Sequence, residues 1–210
     1  MMTQTHTLIA ATLFVSSRRP CKHNFAILLG SFAPDVAVFG LFIWSKFVGI
    51  PERQLWREIY FSEPMLTFTA IANSLPLYVF VLCIGYFLLK YQLKSKDVFA
   101  RDQAFFTMNN SLICLFALAA ITHLFGDFPV HAGDAHPHLW PITDWRFHSP
   151  VSYWDKHHYG SVFSIFEALF GICLSIILFR RFKINWARAL TVLALVSYAA
   201  VPIYFFIQLG

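Results

Sequence analysis

Residues 104–128 read AFFTMNNSLICLFALAAITHLFGDF, an apolar run of 25 residues whose only charged side chain, Asp127, stands at its far end. A membrane-crossing helix needs roughly 20 such residues. The stretch therefore reads as a span, and a span that closes on His123-x-x-x-Asp127. Positions i and i+4 share a helix face, so both side chains can reach one ion.

Four more apolar runs of similar length flank it, at about 24–48, 74–93, 161–180 and 187–208. A shorter one, about 5–17, is too short to cross alone and is expected to dip partway and return through Arg18, Arg19 and Lys22. The expected fold is all-α: one integral membrane domain over 1–210, a bundle of about five transmembrane helices plus a short N-terminal half-spanning helix. Composition agrees, with 58% hydrophobic and 13% charged residues and a mean hydropathy of +0.59. The net charge of +5 sits in short loops, which fits membrane orientation and excludes the basic stripe of a nucleic-acid-binding surface. Cys21, Cys83, Cys114 and Cys173 are far apart, so neither a thiolate zinc site nor a disulfide framework is expected. No basic residue precedes the first apolar run, so no cleavable leader is expected.

Alternate loops differ in charge. Residues 17–23, 90–103 and 180–188 hold eleven Lys and Arg; 46–72, 129–160 and the C-terminus hold five. The positive-inside rule places the first set in the cytoplasm. In a bacterial inner membrane the loop 129–160 then faces the periplasm. The segment ERQLWREIYF, 52–61, mixes charge and aromatics and is expected to lie along the outer surface.

Residues 123–158 contain seven of the nine histidines and four of the eleven acidic residues. Ionisable groups near lipid are costly and usually functional. Imidazole and carboxylate hold divalent metals, zinc above all. With a rise of ~1.5 Å per residue, His6 and Asp35 both lie about 16–18 Å above the basic turn, level with each other. Asp35 follows Pro34 within an apolar helix, where a buried carboxylate needs a partner. The expected metal ligands are His6, Asp35, His123 and Asp127, joined by loop residues from His131, His136, His138 and His158. Asn73, Asp134, His157 and Glu167 are expected beside them, orienting the ligands. His148 and Asp155 are expected to brace the loop, Trp140, Trp145, Tyr153 and Trp154 to be interface aromatics, and His23 to be a surface residue.

These motifs resemble those of a known family. Thr5–His6, Gly30 to Asp35 (G-x-x-x-P-D), His123 to Asp127 and Leu139–Trp140–Pro141 together resemble the YdjM-like predicted membrane-bound metal-dependent hydrolases, over about residues 5–180. The stretch WPITDWRFHSPVSYWD, 140–155, resembles a proteobacterial branch of that family, some members of which carry a cobalamin-biosynthesis label. Nothing in the chain looks like an amidotransferase or nucleotide site. The resemblance implies a helical fold distantly like zinc-dependent phospholipase C and P1 nuclease, with His123 and Asp127 as ligands and His6 and Asp35 beside them. Many relatives carry T-H-S-L where this chain has Ala72–Asn73–Ser74–Leu75, and Asn is a poorer ligand than His.

The expected function is hydrolysis. Asp35 or Asp127 would accept the proton from a metal-activated water. A site at the outer interface favours an amphiphilic phosphate ester or another lipid-linked substrate, with membrane lipid as the surrounding partner. The competing expectation is a non-enzymatic membrane protein, a metal or proton transporter or a scaffold. Against transport stand the lack of a repeat and of polar residues continuing to the cytoplasmic side.

Overall fold

The structure is a computed structural model and describes residues 1–94 and 112–209. The first eight residues of the expected 104–128 span, and most of the 90–103 turn, lie outside the described residues. All regular structure among the described residues is helical. The helices are α1 (Thr3–Phe14), α2 (Cys21–Phe32), α3 (Val36–Val48), α4 (Glu52–Gln54), α5 (Glu63–Ala72), α6 (Leu75–Lys94), α7 (Leu112–Asp127), α8 (Gly160–Arg181) and α9 (Asn185–Leu209).

Among the described residues, three helical stretches are long and apolar enough to cross a membrane: Cys21–Val48, Glu63–Tyr91 and Gly160–Arg181. The described part of α7 is a shorter apolar helix. Two of the three stretches are interrupted where polar residues fall. Between α2 and α3 the chain tightens into a 3-10 turn, Ala33–Asp35, because Pro34 has no N–H for the helical ladder. Between α5 and α6 it breaks at Asn73–Ser74.

The sequence reading put 46–72 in an outer loop. The structure differs: Glu63–Ala72 is a helix running into the second stretch, with Pro64 in its first turn, where a missing N–H costs nothing. Residues 52–59 are helical and widen to a π-helix over Leu55–Ile59, and Leu55 is fully buried.

Small residues set the closest approaches, as in other membrane bundles. A Cβ on Gly30 of α2 would lie 2.1 Å from the Phe116 carbonyl oxygen of α7. Ala10, Ile27, Leu115 and Ala119 fill the seam where α1, α2 and α7 meet. On α8, a Cβ on Gly171 would lie 2.6 Å from the Tyr198 ring of α9. Leu8, Leu174, Leu178 and Tyr198 join α1 to that pair.

Residues 128–159 form no long element and are held by side-chain bonds instead. The Ser149 hydroxyl donates to the Pro129 carbonyl (2.5 Å), His148 Nδ1–H to that of Ala132 (2.7 Å) and Arg146 to that of Ala135 (3.1 Å). The loop folds back onto the start of α6, where Leu75 N–H donates to the His138 carbonyl (2.8 Å) and the Ser74 hydroxyl to that of Trp140 (2.5 Å).

Candidate metal centre

α1 and α2 run side by side from the basic turn, which brings their far ends level. There the Thr3 hydroxyl donates to Asp35 Oδ2. Asp35 sits at the cap position of α3 but makes no capping bond; its side chain turns to Thr3 and His123 instead. α7 ends beside them with His123 and Asp127, both buried.

Asp127 is the centre of the group. His6 Nε2 lies 2.8 Å from its Oδ1 and His123 Nε2 2.9 Å from its Oδ2. Asp35 Oδ1 is 3.6 Å from His123 Nε2. The Met1 amino nitrogen lies 2.6 Å from Asp127 Oδ1. The His6 and His123 rings stack at 3.6 Å between centroids. Gly126 makes room for this, since a Cβ there would lie 2.8 Å from His6 Cε1. Ligating atoms of His6, His123 and Asp127 all fall within 4.8 Å of one another, close enough to share one metal ion.

The hydrogen bond on the far side of His123 decides what the near side is. Nδ1 lies 2.6 Å from the Ser31 carbonyl oxygen, which can only accept, so Nδ1 carries the proton. In the neutral ring Nε2 is then a lone pair facing the carboxylates of Asp127 and Asp35. That contact is repulsive unless a cation, a second proton or a metal, lies between. A protonated Nδ1 held by a backbone carbonyl is also how metal-binding histidines are oriented. Among the described residues His6 Nδ1 is buried without a partner, and packing and the bond to Asp127 position the ring. The donor set of two imidazoles and a carboxylate, with a second carboxylate beside it, fits zinc chemistry.

The loop residues divide. His131 joins the group from outside, with Nε2 3.4 Å from Asp127 Oδ1 and Nδ1 3.1 Å from Asp134 Oδ2. Burial alone would lower its pKa, but Asp127 and Asp134 carry it up to about 9, so the ring is a cation between two carboxylates in the metal-free protein. Asp134 is held in turn by Trp154 Nε1–H at 3.0 Å. His136 is buried with its ring 5.1 Å from that of His131, and burial together with His131 pushes its pKa well down. His138 donates Nδ1–H to the Asn73 carbonyl at 3.1 Å and braces the break before α6. His136 and His138 therefore lie beside the group without entering it.

His157 and His158 stay out of the centre. His158 Nδ1 lies 2.8 Å from Asp155 Oδ2 in a partly exposed turn, and the His157 N–H bonds to Asp155 Oδ1. Asp155 N-caps that turn, so local capping holds the pair at the surface. The Asn73 amide donates to the Pro34 (3.3 Å) and Thr69 (3.0 Å) carbonyls, tying the two helix breaks together behind Asp35. Glu167 accepts the Met2 N–H at 2.7 Å, and its other oxygen is buried without a partner among the described residues. His23, expected at the surface, is buried.

Several residues at the site have contacts that the sequence analysis does not assign. Thr3 and the Ser31 carbonyl matter only because α1 and α2 are level. Thr5, inside the early T-H motif, pairs its hydroxyl with that of Tyr198 at 2.5 Å. Tyr60 and Tyr153 are coupled electrostatically to Asp35, Asp127 and Asp134; burial first, then those carboxylates, raises both phenols above their ordinary pKa.

Comparison with protein-family models, with curated proteins and with solved structures gives no match to this chain.

Proposed function

We propose that this chain is a membrane-embedded metal-dependent hydrolase that binds zinc through His6, His123 and Asp127. In this reading it crosses a bacterial inner membrane five times, with α1 as a half-spanning helix and 129–160 on the periplasmic side. The observation that carries the proposal is the fixed polarity of His123: one ring proton is committed to Ser31, and Nε2 faces two carboxylates, a contact that needs a cation, a proton or a metal ion, between them. The motifs that resemble the YdjM-like hydrolases, Thr5–His6, Gly30 to Asp35 and His123 to Asp127, are the ones that meet at this point, which supports the same reading.

When bound, a divalent ion supplies a water acidified toward a pKa of about 7 and an electrophile for the scissile group. His6 and His123 are neutral donors and Asp127 supplies charge. Asp35 is suited to accept the proton, because its side chain is 22% exposed whereas those of His6, His123 and Asp127 are 3% or less. Thr3 holds one Asp35 oxygen and leaves the other toward the group. The site's depth, at the outer ends of α2 and α7, favours an amphiphilic phosphate ester or another lipid-linked substrate.

The test is turnover of a chromogenic phosphodiester by detergent-purified protein, before and after chelation and zinc restoration. Chelator-sensitive turnover, lost in Asp35→Asn with zinc retained, supports the enzyme. A protein that carries no zinc and turns nothing over is a scaffold.

A further inference from the structure

Residues 15–24 and 178–188 hold seven Lys and Arg and no Asp or Glu. The first stretch runs from the end of α1 into α2, and the second from α8 into α9. The fold joins them. Arg181 donates to the Thr12 carbonyl in the last turn of α1, and Phe182 and Val15 belong to one apolar cluster. The first stretch is itself fixed, because the Asn24 amide donates to the Ser16 carbonyl (2.9 Å) and its oxygen accepts the Ser16 N–H (3.2 Å). The two turns therefore make one basic face, at the end of the bundle away from the metal centre.

The seven cations divide. Three hold the face together. Arg19 donates to the Phe14 carbonyl and Arg181 to that of Thr12, both left open where α1 ends. Arg188 donates to the Phe182 carbonyl (3.0 Å), with its guanidinium 4.9 Å from the centre of the Phe179 ring. The other four, Arg18, Lys22, Arg180 and Lys183, are exposed, and among the described residues their side chains make no hydrogen bond or ion pair. Exposed apolar side chains adjoin them: Phe25 on α2, and Ile184 and Trp186 beside Lys183. Two of the stretches long and apolar enough to cross a membrane, Cys21–Val48 and Gly160–Arg181, each have an end here. Cations and tryptophan at the ends of such helices stand at headgroup level.

We propose that this face binds the headgroup of an anionic phospholipid, through Arg18, Lys22, Arg180 and Lys183. Four like charges on a fixed surface repel one another, and neither turn carries a carboxylate to offset them. A headgroup phosphate supplies the missing negative charge. A soluble anion would leave Phe25, Ile184 and Trp186 facing water, whereas the chains of a lipid cover them. The site lies about 20 Å from Asp35 along α2, so it is independent of zinc and of hydrolysis.

The test uses the full chain in phosphatidylcholine bilayers, with spin-labelled phosphatidylglycerol or phosphatidylcholine of equal chain length as the probe. The immobilised fraction of the spin signal gives the relative affinity. Wild type is compared with a basic-face variant carrying Arg18→Gln, Lys22→Gln, Arg180→Gln and Lys183→Gln. A control of equal charge change carries Lys46→Gln, Arg53→Gln, Arg57→Gln and Lys156→Gln. The expected result is a preference for phosphatidylglycerol of at least about fivefold in wild type, kept in the control and brought near parity in the basic-face variant. Wild type without the preference, or a basic-face variant that keeps it, overturns the site. Equal loss in both variants overturns it too, because net charge alone then explains the preference. Heparin serves as a soluble polyanion: a basic-face variant that loses heparin binding and keeps the lipid preference assigns the face to a soluble acidic partner instead. Cooperative melting reports that each variant is folded. Should the basic-face variant fail to fold, the pairs Arg18→Gln with Lys22→Gln and Arg180→Gln with Lys183→Gln decide: each is expected to lose part of the preference, and no loss in either overturns the site.

Discussion

The rings of His6 and His123 stack 3.6 Å apart and 11° from parallel, and each presents Nε2 to a different oxygen of Asp127. The two residues are 117 positions apart in sequence, yet both Nε2 atoms meet one carboxylate. What permits the stack is the absence of a side chain at Gly126.

Gly126→Ala is therefore expected to weaken zinc binding. The new Cβ would lie 2.8 Å from His6 Cε1 and 3.0 Å from Nδ1, so the His6 ring must move. Alanine favours a helix over glycine by about 1 kcal/mol, so the metal-free bundle should not melt earlier on that account. Zinc titration is expected to give an affinity at least about tenfold lower, with a modest fall in the metal-free Tm, because the buried His6 side chain and not backbone must give way. A lower Tm with unchanged affinity would show that Gly126 serves packing alone.

Gly30→Ala should act differently. Its Cβ would meet backbone, the Phe116 carbonyl oxygen at 2.1 Å, which cannot swing aside. Overpacking of this kind costs about 1–3 kcal/mol. Forcing α2 from α7 also carries the Ser31 carbonyl away from His123. Both Tm and zinc content are expected to fall together, in thermal melts and metal analysis of the same preparation.

The metal-free protein has a pH signature at His131. Its folded pKa, about 9, exceeds the unfolded value near 6.5. The folded state thus binds more protons between those values, so the contribution is full below about 6.5 and is lost as pH rises through 9. Its size is at most roughly 3 kcal/mol. Melts of chelated wild type and His131→Gln should differ most near pH 6 and converge above pH 9. A gap that is constant with pH would place His131 outside the carboxylate pair.

The orientation of the loop is open to direct labelling. Thr143 is exposed. A cysteine placed there, in a chain with Cys21, Cys83, Cys114 and Cys173 replaced, should react with an impermeant thiol reagent in intact cells. Labelling only after lysis would put the centre on the cytoplasmic side.

Much of this was legible in the sequence because it follows from period and depth. His123-x-x-x-Asp127 shares a face on any helix, and counting residues from the basic turn sets His6 level with Asp35. The 24–48 run reads as one span, and the break at Pro34 comes from the structure. Loop geometry was not. His158 and His157 look like ligands by composition, yet Asp155 captures them through a local turn that spacing alone does not reveal. α5 was hidden because the charged 52–58 stretch made its surroundings read as loop. Ser31 contributes a backbone carbonyl, which has no sequence signature.

The most direct test of the centre is zinc per chain in three proteins purified in the same detergent: wild type, His123→Ala and His157→Ala. One tightly held zinc is expected in wild type and in His157→Ala, because His157 is exposed and, among the described residues, bonds through its backbone N–H to Asp155. His123→Ala should fall to background zinc while its bundle still melts cooperatively, since most packing comes from apolar seams elsewhere. Zinc retained at the wild-type level in His123→Ala would contradict the metal centre outright.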